Sequence, residues 1–274
     1  MVLGAAGAAL LLFAHGFVRL RRRGRTDHAG WGRAALFVAG VACATLPLVS
    51  PLDEAGDRFL LSAHMLEHML VGDAAPALIL LALRGPLLFF FVPAAVLRPF
   101  ARLAPLRAAL GFLLRPGVSL SAWALVFAAW HVPAAYDFAL RHQTVHELEH
   151  ASFVLAGFLV WTQLIDPARH GRLTLSQRLA FAGGLFGLGQ LLSNALLLWA
   201  HPLYAAYASQ PERLFGWSAL NDQQIAGLVM MGEQLATLGT FTLLILFRPL
   251  ARPRSFAAAR VDAPGSTGRA AACP

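Results

Sequence analysis

The chain has 274 residues, of which 58% are hydrophobic and 13% charged, with a formal charge of +8. Soluble domains carry about 25% charged residues, so a chain with roughly half that share cannot cover a water-facing surface, and a soluble globular enzyme is excluded; so is a disordered chain. Its cysteines, Cys43 and Cys273, are too far apart for any CxxC or metal-type spacing, which excludes a disulfide framework or a zinc ribbon.

A membrane helix takes about 20 mostly apolar residues, and the first such stretch runs over 2–18. Its basic cluster, Arg19 to Arg25, follows the apolar run instead of preceding it, the reverse of a signal peptide. Stretches at about 33–50, 59–83, 117–140, 147–165, 178–200 and 224–247 predict further spans, joined by short polar or Pro/Gly-rich connections. Residues 86–110 predict an interfacial or re-entrant piece: the apolar run is about a dozen residues, broken by Pro93 and followed by Pro99 and Pro105. Residues 1–248 therefore predict one all-α, seven-helix transmembrane domain. Residues 249–274, rich in Ala, Arg and Pro, predict a disordered cytoplasmic tail.

All 22 basic residues are Arg. Seven spans put nineteen of them on one side and only Arg58, Arg141 and Arg213 on the other. The positive-inside bias then places the N-terminus outside and the C-terminus in the cytoplasm. An eighth span at 86–97 would destroy the asymmetry. The basic loops are accounted for by topology and anionic lipid headgroups, so membrane lipid, not nucleic acid, is the expected partner of this charge.

With that orientation His64, His68, His131, His142, His146, His150 and His201 all fall at the outer ends of spans or in outer loops. Met65, Met69, Met230 and Met231 fall in the outer halves of spans. Histidine and methionine together suit Cu(I). Two segments read H-x-L-E-H: His64 to His68 and His146 to His150. At i, i+4 the two histidines share a helix face and can flank or share a metal, while Glu67 and Glu149 are placed to fix an imidazole tautomer. Met65 and Met69 lie about 100° round the helix from the histidines, so one ion does not use all four. His146 is expected at the water boundary, as a capping or rim residue, and His142 and His201 read as interfacial. Asp73, Glu233 and Asn194 (with Gln190 and Ser193) lie deep, where a carboxylate must be protonated, paired or facing a wet cavity. Asp73 is half a turn off the His64 azimuth on an unkinked helix, with Pro76 close enough to bend it. Cys43 reads as a packing residue.

His64-Met-Leu-Glu-His68 running into Ala74-Ala75-Pro76 and Arg84-Gly85-Pro86, together with Trp130-His131-Val-Pro133, His146-Glu-Leu-Glu-His150, Gly157 and Trp161, resembles the CtaG family of polytopic cytochrome c oxidase assembly factors. The likeness covers roughly 30–250. It implies a multi-pass protein of the bacterial inner (cytoplasmic) membrane that performs no catalysis. Such a protein would work with oxidase subunits, and with other copper chaperones, by handling copper on the outer side. The family's histidines map to His64, His68, His131 and His150, with His146 beside them. Three other readings compete: a haem-binding membrane protein, which lacks a CxxCH site here; a metal-free assembly scaffold; and an intramembrane metalloprotease, since H-x-x-E-H is also an inverted zincin pattern.

Overall fold

The computed structural model describes residues 2–247; the tail expected at 249–274 lies outside them. The described chain is helical throughout. Helix α1 is Val2–Arg22, α2 Trp31–Thr45, α3 the short Pro51–Arg58, and α4 Leu61–Leu83. Then come α5 (Pro86–Phe91), α6 (Ala94–Arg102), α7 (Ala104–Leu113), α8 (Pro116–Trp130) and α9 (Pro133–Arg141). Helices α10 (Gln143–Ile165), α11 (Leu175–Leu198), the single turn α12 (Ala205–Ala208) and α13 (Ala219–Phe247) complete it.

Five of these, α1, α4, α10, α11 and α13, are long and apolar enough to cross a membrane, and α7 with α8 makes a sixth if the 77° bend between them lies within one span. Of the seven stretches read from hydropathy, 33–50 and 117–140 are the two that do not form one long helix. The stretch 33–50 is helical only to Thr45, because Pro47 and Pro51 follow. Its 15 residues rise about 22 Å, short of the roughly 30 Å hydrocarbon core. The stretch 117–140 divides at Trp130, since Pro133 lacks the N–H that would continue α8. The segment 86–110 is three short helices. Large side chains such as Leu11, Leu125, Leu155, Leu191 and Leu198 are exposed on the outer faces of the long helices, a surface made for lipid. The protein is a multi-pass membrane protein by its helices.

Two helices carry π turns, Leu70–Ala74 in α4 and Leu235–Gly239 in α13. The first has a local cause. Pro76 has no N–H for the Gly72 carbonyl, and the Ala75 N–H reaches back five residues to Leu70 O. The Gly72 carbonyl then lies where a Cβ on Gly157 would be, so α4 and α10 cross in backbone contact. Around this crossing Trp161, Phe153, Ala156, Val160, Met65 and Met69 form the main apolar core. A second core ties α1 and α2 to the end of α4 through Phe13, Phe17, Phe37, Val41 and Leu83, with Phe13 stacked on Phe37 at 4.2 Å.

The two ends of the bundle differ in chemistry. At the C-terminal end of α4, Arg33 donates to the carbonyls of Ala82 (3.2 Å) and Arg84, and Arg178 pairs with Asp166 at 3.3 Å. The histidines collect at the opposite end, where Gln210 donates to Arg58 O and Arg213 to Tyr207 O.

Gly→Ala in a helix ordinarily stabilises by about 0.5–1 kcal/mol. For Gly157→Ala the sign reverses, because the new methyl meets backbone that cannot move aside, and we expect a loss of about 1–3 kcal/mol. Gly183→Ala, with open space around it, should lose nothing. Thermal unfolding in detergent measures both, and equal behaviour would refute the crossing.

Candidate metal centre

The start of α4 is held from outside the helix. Leu60 precedes it and offers no capping side chain, so its first N–H groups need another acceptor. Asp222 of α13 supplies one: Leu61 N–H donates to Oδ2 at 2.6 Å, and Ser62 N–H and Oγ–H donate to Oδ1. Helix α3 lies directly over this turn. A Cβ on Gly56 would stand 3.0 Å from the His64 backbone, so only glycine permits the approach. The Tyr207 hydroxyl fixes it by donating to Gly56 O at 2.7 Å. The next residue, Asp57, is thereby set over the first turn of α4.

The first turns of α4 and α10 run side by side, and their four histidines face one another. His64, His68, His146 and His150 each offer a ring nitrogen, and these atoms all lie within 4.8 Å of one another. Ring centroids are 4.2 Å apart for His64–His68, 4.3 Å for His146–His150, 5.0 Å for His68–His150 and 5.2 Å for His64–His146. His64, His68 and His146 are 1%, 4% and 4% exposed. The two motifs are crossed: Glu67 of α4 faces His150 Nε2 at 3.0 Å, and Glu149 of α10 faces His68 Nε2 at 3.8 Å. Asp57 Oδ1 sits between His64 Nδ1 (3.5 Å) and His146 Nε2 (3.6 Å).

Both nitrogens of His64 and of His68, together with His146 Nε2, His150 Nε2, Asp57 Oδ1, Glu67 Oε1 and Glu149 Oε1, are buried without a hydrogen-bond partner. Native interiors leave few such atoms, and nine of them lie together here. Neutral imidazole and carboxylate oxygen are ligands for Zn, Cu, Fe and Ni ions, so this group could hold a metal ion. The surroundings are acidic. Burial and the neighbouring Glu67 and Asp57 carboxylates push Asp53, on α3, up to about 6. Burial would also raise Asp57, but the imidazoles of His64 and His146 facing it hold its carboxyl below the ordinary range.

The other residues singled out from the sequence lie around this centre. His146, expected at the water boundary, is instead buried within it, because α10 begins at Gln143 and turns this ring toward His64 of α4 and Asp57 of α3. His131 ends α8. Its Nδ1–H donates to Phe127 O at 2.7 Å, so Nε2 carries the lone pair and is buried without a partner. The ring stands against Phe127 and Phe153, outside the group of four. Met65, Met69 and Met230 pack in the main apolar core and Met231 is half-buried; Met69 lines a small cavity with His68, Gly72 and Asp73. The π turn aims Asp73 away from the imidazoles, where it accepts from Trp161 Nε1–H and from Thr237 Oγ–H at 2.8 Å. Glu233 lies beside Asp73, with both its carboxyl oxygens buried and without a hydrogen-bond partner. Asn194 donates to Gln190 O of its own helix, and Gln190 donates to Gln234 across to α13. His142 and His201 are exposed. Asp57 and Asp222 were not found by sequence reasoning.

The chain matches the protein family described as Cytochrome c oxidase caa3 assembly factor (Caa3_CtaG) over residues 11–252. No curated protein and no solved structure matches it.

A ligand bound only by the folded state stabilises it by about 2.7 kcal/mol at a hundredfold excess over its Kd. Added Zn2+ should therefore raise the unfolding temperature of the detergent-solubilised chain by several degrees. His68→Ala/His150→Ala should reduce that rise while leaving the metal-free protein folded. An equal rise in the variant would place the ion elsewhere.

Proposed function

The chain belongs to the Caa3_CtaG family of cytochrome c oxidase caa3 assembly factors, and on that premise we propose that it binds copper at the four-histidine cluster and delivers it to the oxidase during assembly. The observation that carries this reading is the convergence of His64, His68, His146 and His150 with their ring nitrogens buried and unpaired. The role is that of a carrier with no bond-making chemistry, and its partners are oxidase subunits and copper chaperones.

Orientation supports the reading. Counting α2 and α8 as spans beside α1, α4, α10, α11 and α13 gives seven, which puts the termini on opposite faces. The arginine-rich end then faces the cytoplasm by the positive-inside bias, and the imidazole end opens to the outer side of a bacterial inner membrane. In this topology 86–110 is an interfacial or re-entrant piece, and the chain beyond 248 is a cytoplasmic tail.

The carboxylates divide the labour with the imidazoles. Glu67, Glu149 and Asp57 each stand near a ring nitrogen, at 3.0, 3.8 and 3.5 Å, and add oxygen donors to the imidazole set. Copper is favoured by the imidazole donors; the nitrogen and oxygen set holds Cu(II) as readily as the Cu(I) that the methionine pattern suggests. Met65, Met69, Met230 and Met231 serve as soft donors along the path by which the ion moves, Met69 from the cavity that it shares with His68. His131, with a free Nε2, is a further stopping point on that path.

Protein purified from copper-supplemented cells should carry copper and show no Soret band. His64→Ala/His68→Ala should lose the copper and, in cells lacking the native gene, should fail to restore oxidase activity that the unmodified chain restores. Full restoration by a copper-free variant would make the protein a metal-free scaffold, and a Soret band would make it a haem protein.

A further inference from the structure

The donors of the cluster fall into two tiers. The tier nearer the rim holds His64, His146 and Asp57, whose carboxyl side chain is 32% exposed; the tier one turn further along both helices holds His68, His150, Glu67 and Glu149, the glutamates being 1% and His150 12% exposed.

Spacing within the tiers fits shared ions better than hydrogen bonds. In the rim tier the carboxylate oxygen stands 3.5 and 3.6 Å from its two imidazole nitrogens, and all three atoms lack a hydrogen-bond partner. A hydrogen bond between such groups would be about 2.7–3.2 Å. Two donors sharing a tetrahedral ion at about 2.0–2.2 Å stand about 3.4 Å apart. In the deeper tier His68–Glu149, at 3.8 Å, is likewise too long for a hydrogen bond, while His150–Glu67, at 3.0 Å, has the length of one, although none of the four atoms has a hydrogen-bond partner. Two imidazoles with one or two carboxylates suffice to hold an ion. The rings step down by 4.2 Å on α4 and 4.3 Å on α10, close to the roughly 3.5–4 Å between ions in two-metal sites.

Resting on the reading of this cluster as a metal centre, we propose that it takes two divalent transition-metal cations, one in each tier. The rim ion is bound by His64, His146 and Asp57, and the deeper ion by His68, His150, Glu67 and Glu149. The rim tier is then the exchangeable position and the deeper tier the retained one, which gives the carrier an order of loading and release.

The test loads the full chain in detergent with Zn2+, removes the excess and measures metal per chain, then repeats with Cu2+ and records the electron paramagnetic resonance spectrum. The proposal expects two ions per chain, one in Asp57→Asn, and a spin-coupled Cu2+ pair that becomes an isolated Cu2+ signal in that variant. One ion per chain, unchanged in Asp57→Asn, overturns the pair and leaves the single-ion centre standing. No bound ion overturns both. Should Asp57→Asn fail to fold, the unmodified chain decides: an isolated Cu2+ signal at full loading overturns the pair.

Discussion

An ionisable group inside a helical bundle in lipid has to find a partner, and in this protein that constraint is concentrated at one place. Four imidazoles and three carboxylates converge between the first turns of α4 and α10, and most of the facing atoms have no hydrogen bond within the protein. Each such atom costs about 1–3 kcal/mol if it stays unpaired. A set of this size is therefore a deficit that a bound cation offsets. The arrangement is one that could hold a metal ion, independent of what the ion is later used for.

The remainder of the fold holds that deficit in shape. Backbone contact at Gly72 and Gly157 fixes how closely α4 and α10 approach, and the π turn that Pro76 requires occurs at this crossing. Asp222 satisfies the open N-terminus of α4 from α13, and Tyr207 pins α3 so that Asp57 faces the imidazoles. Asp137 does the same for α12, accepting from Ala205 and Ala206 N–H. Helices α3, α9, α12 and α13 are thus tied to the imidazole end by polar contacts, while α1 and α2 are joined to the other end by aromatic packing. The Asp73–Glu233 pair lies below the imidazoles, joined to them by the cavity that runs from His68 to Asp73.

Much of the centre was legible because i, i+4 spacing is a property of the helix itself. The two H-x-L-E-H segments place His64 beside His68 and His146 beside His150 wherever the helices pack, and their shared depth set them facing. Asp57 was not legible. Its place depends on a chain reversal at Phe59–Leu60 and on a close approach at Gly56, and neither leaves a periodic trace. The apolar run starts at 147 and so puts His146 at the rim, whereas the helix starts at Gln143 and turns this ring toward His64 and Asp57. Hydropathy joined stretches that the backbone divides, for a similar reason. A window sums apolar residues across Pro47, Pro51 and Pro133, where the backbone cannot continue. The break in α4 was expected from Pro76; its form, a π turn on the N-terminal side, follows from the missing N–H and could not be read from the azimuth of Asp73 alone.

The central claim is that the imidazole cluster is the metal site, and X-ray absorption at the metal edge of the loaded, detergent-purified protein tests it most directly. The account predicts a first shell of nitrogen and oxygen at about 2.0–2.2 Å with the outer-shell scattering of several imidazoles. A shell dominated by sulfur at about 2.3 Å, or a protein that retains no ion, would contradict it.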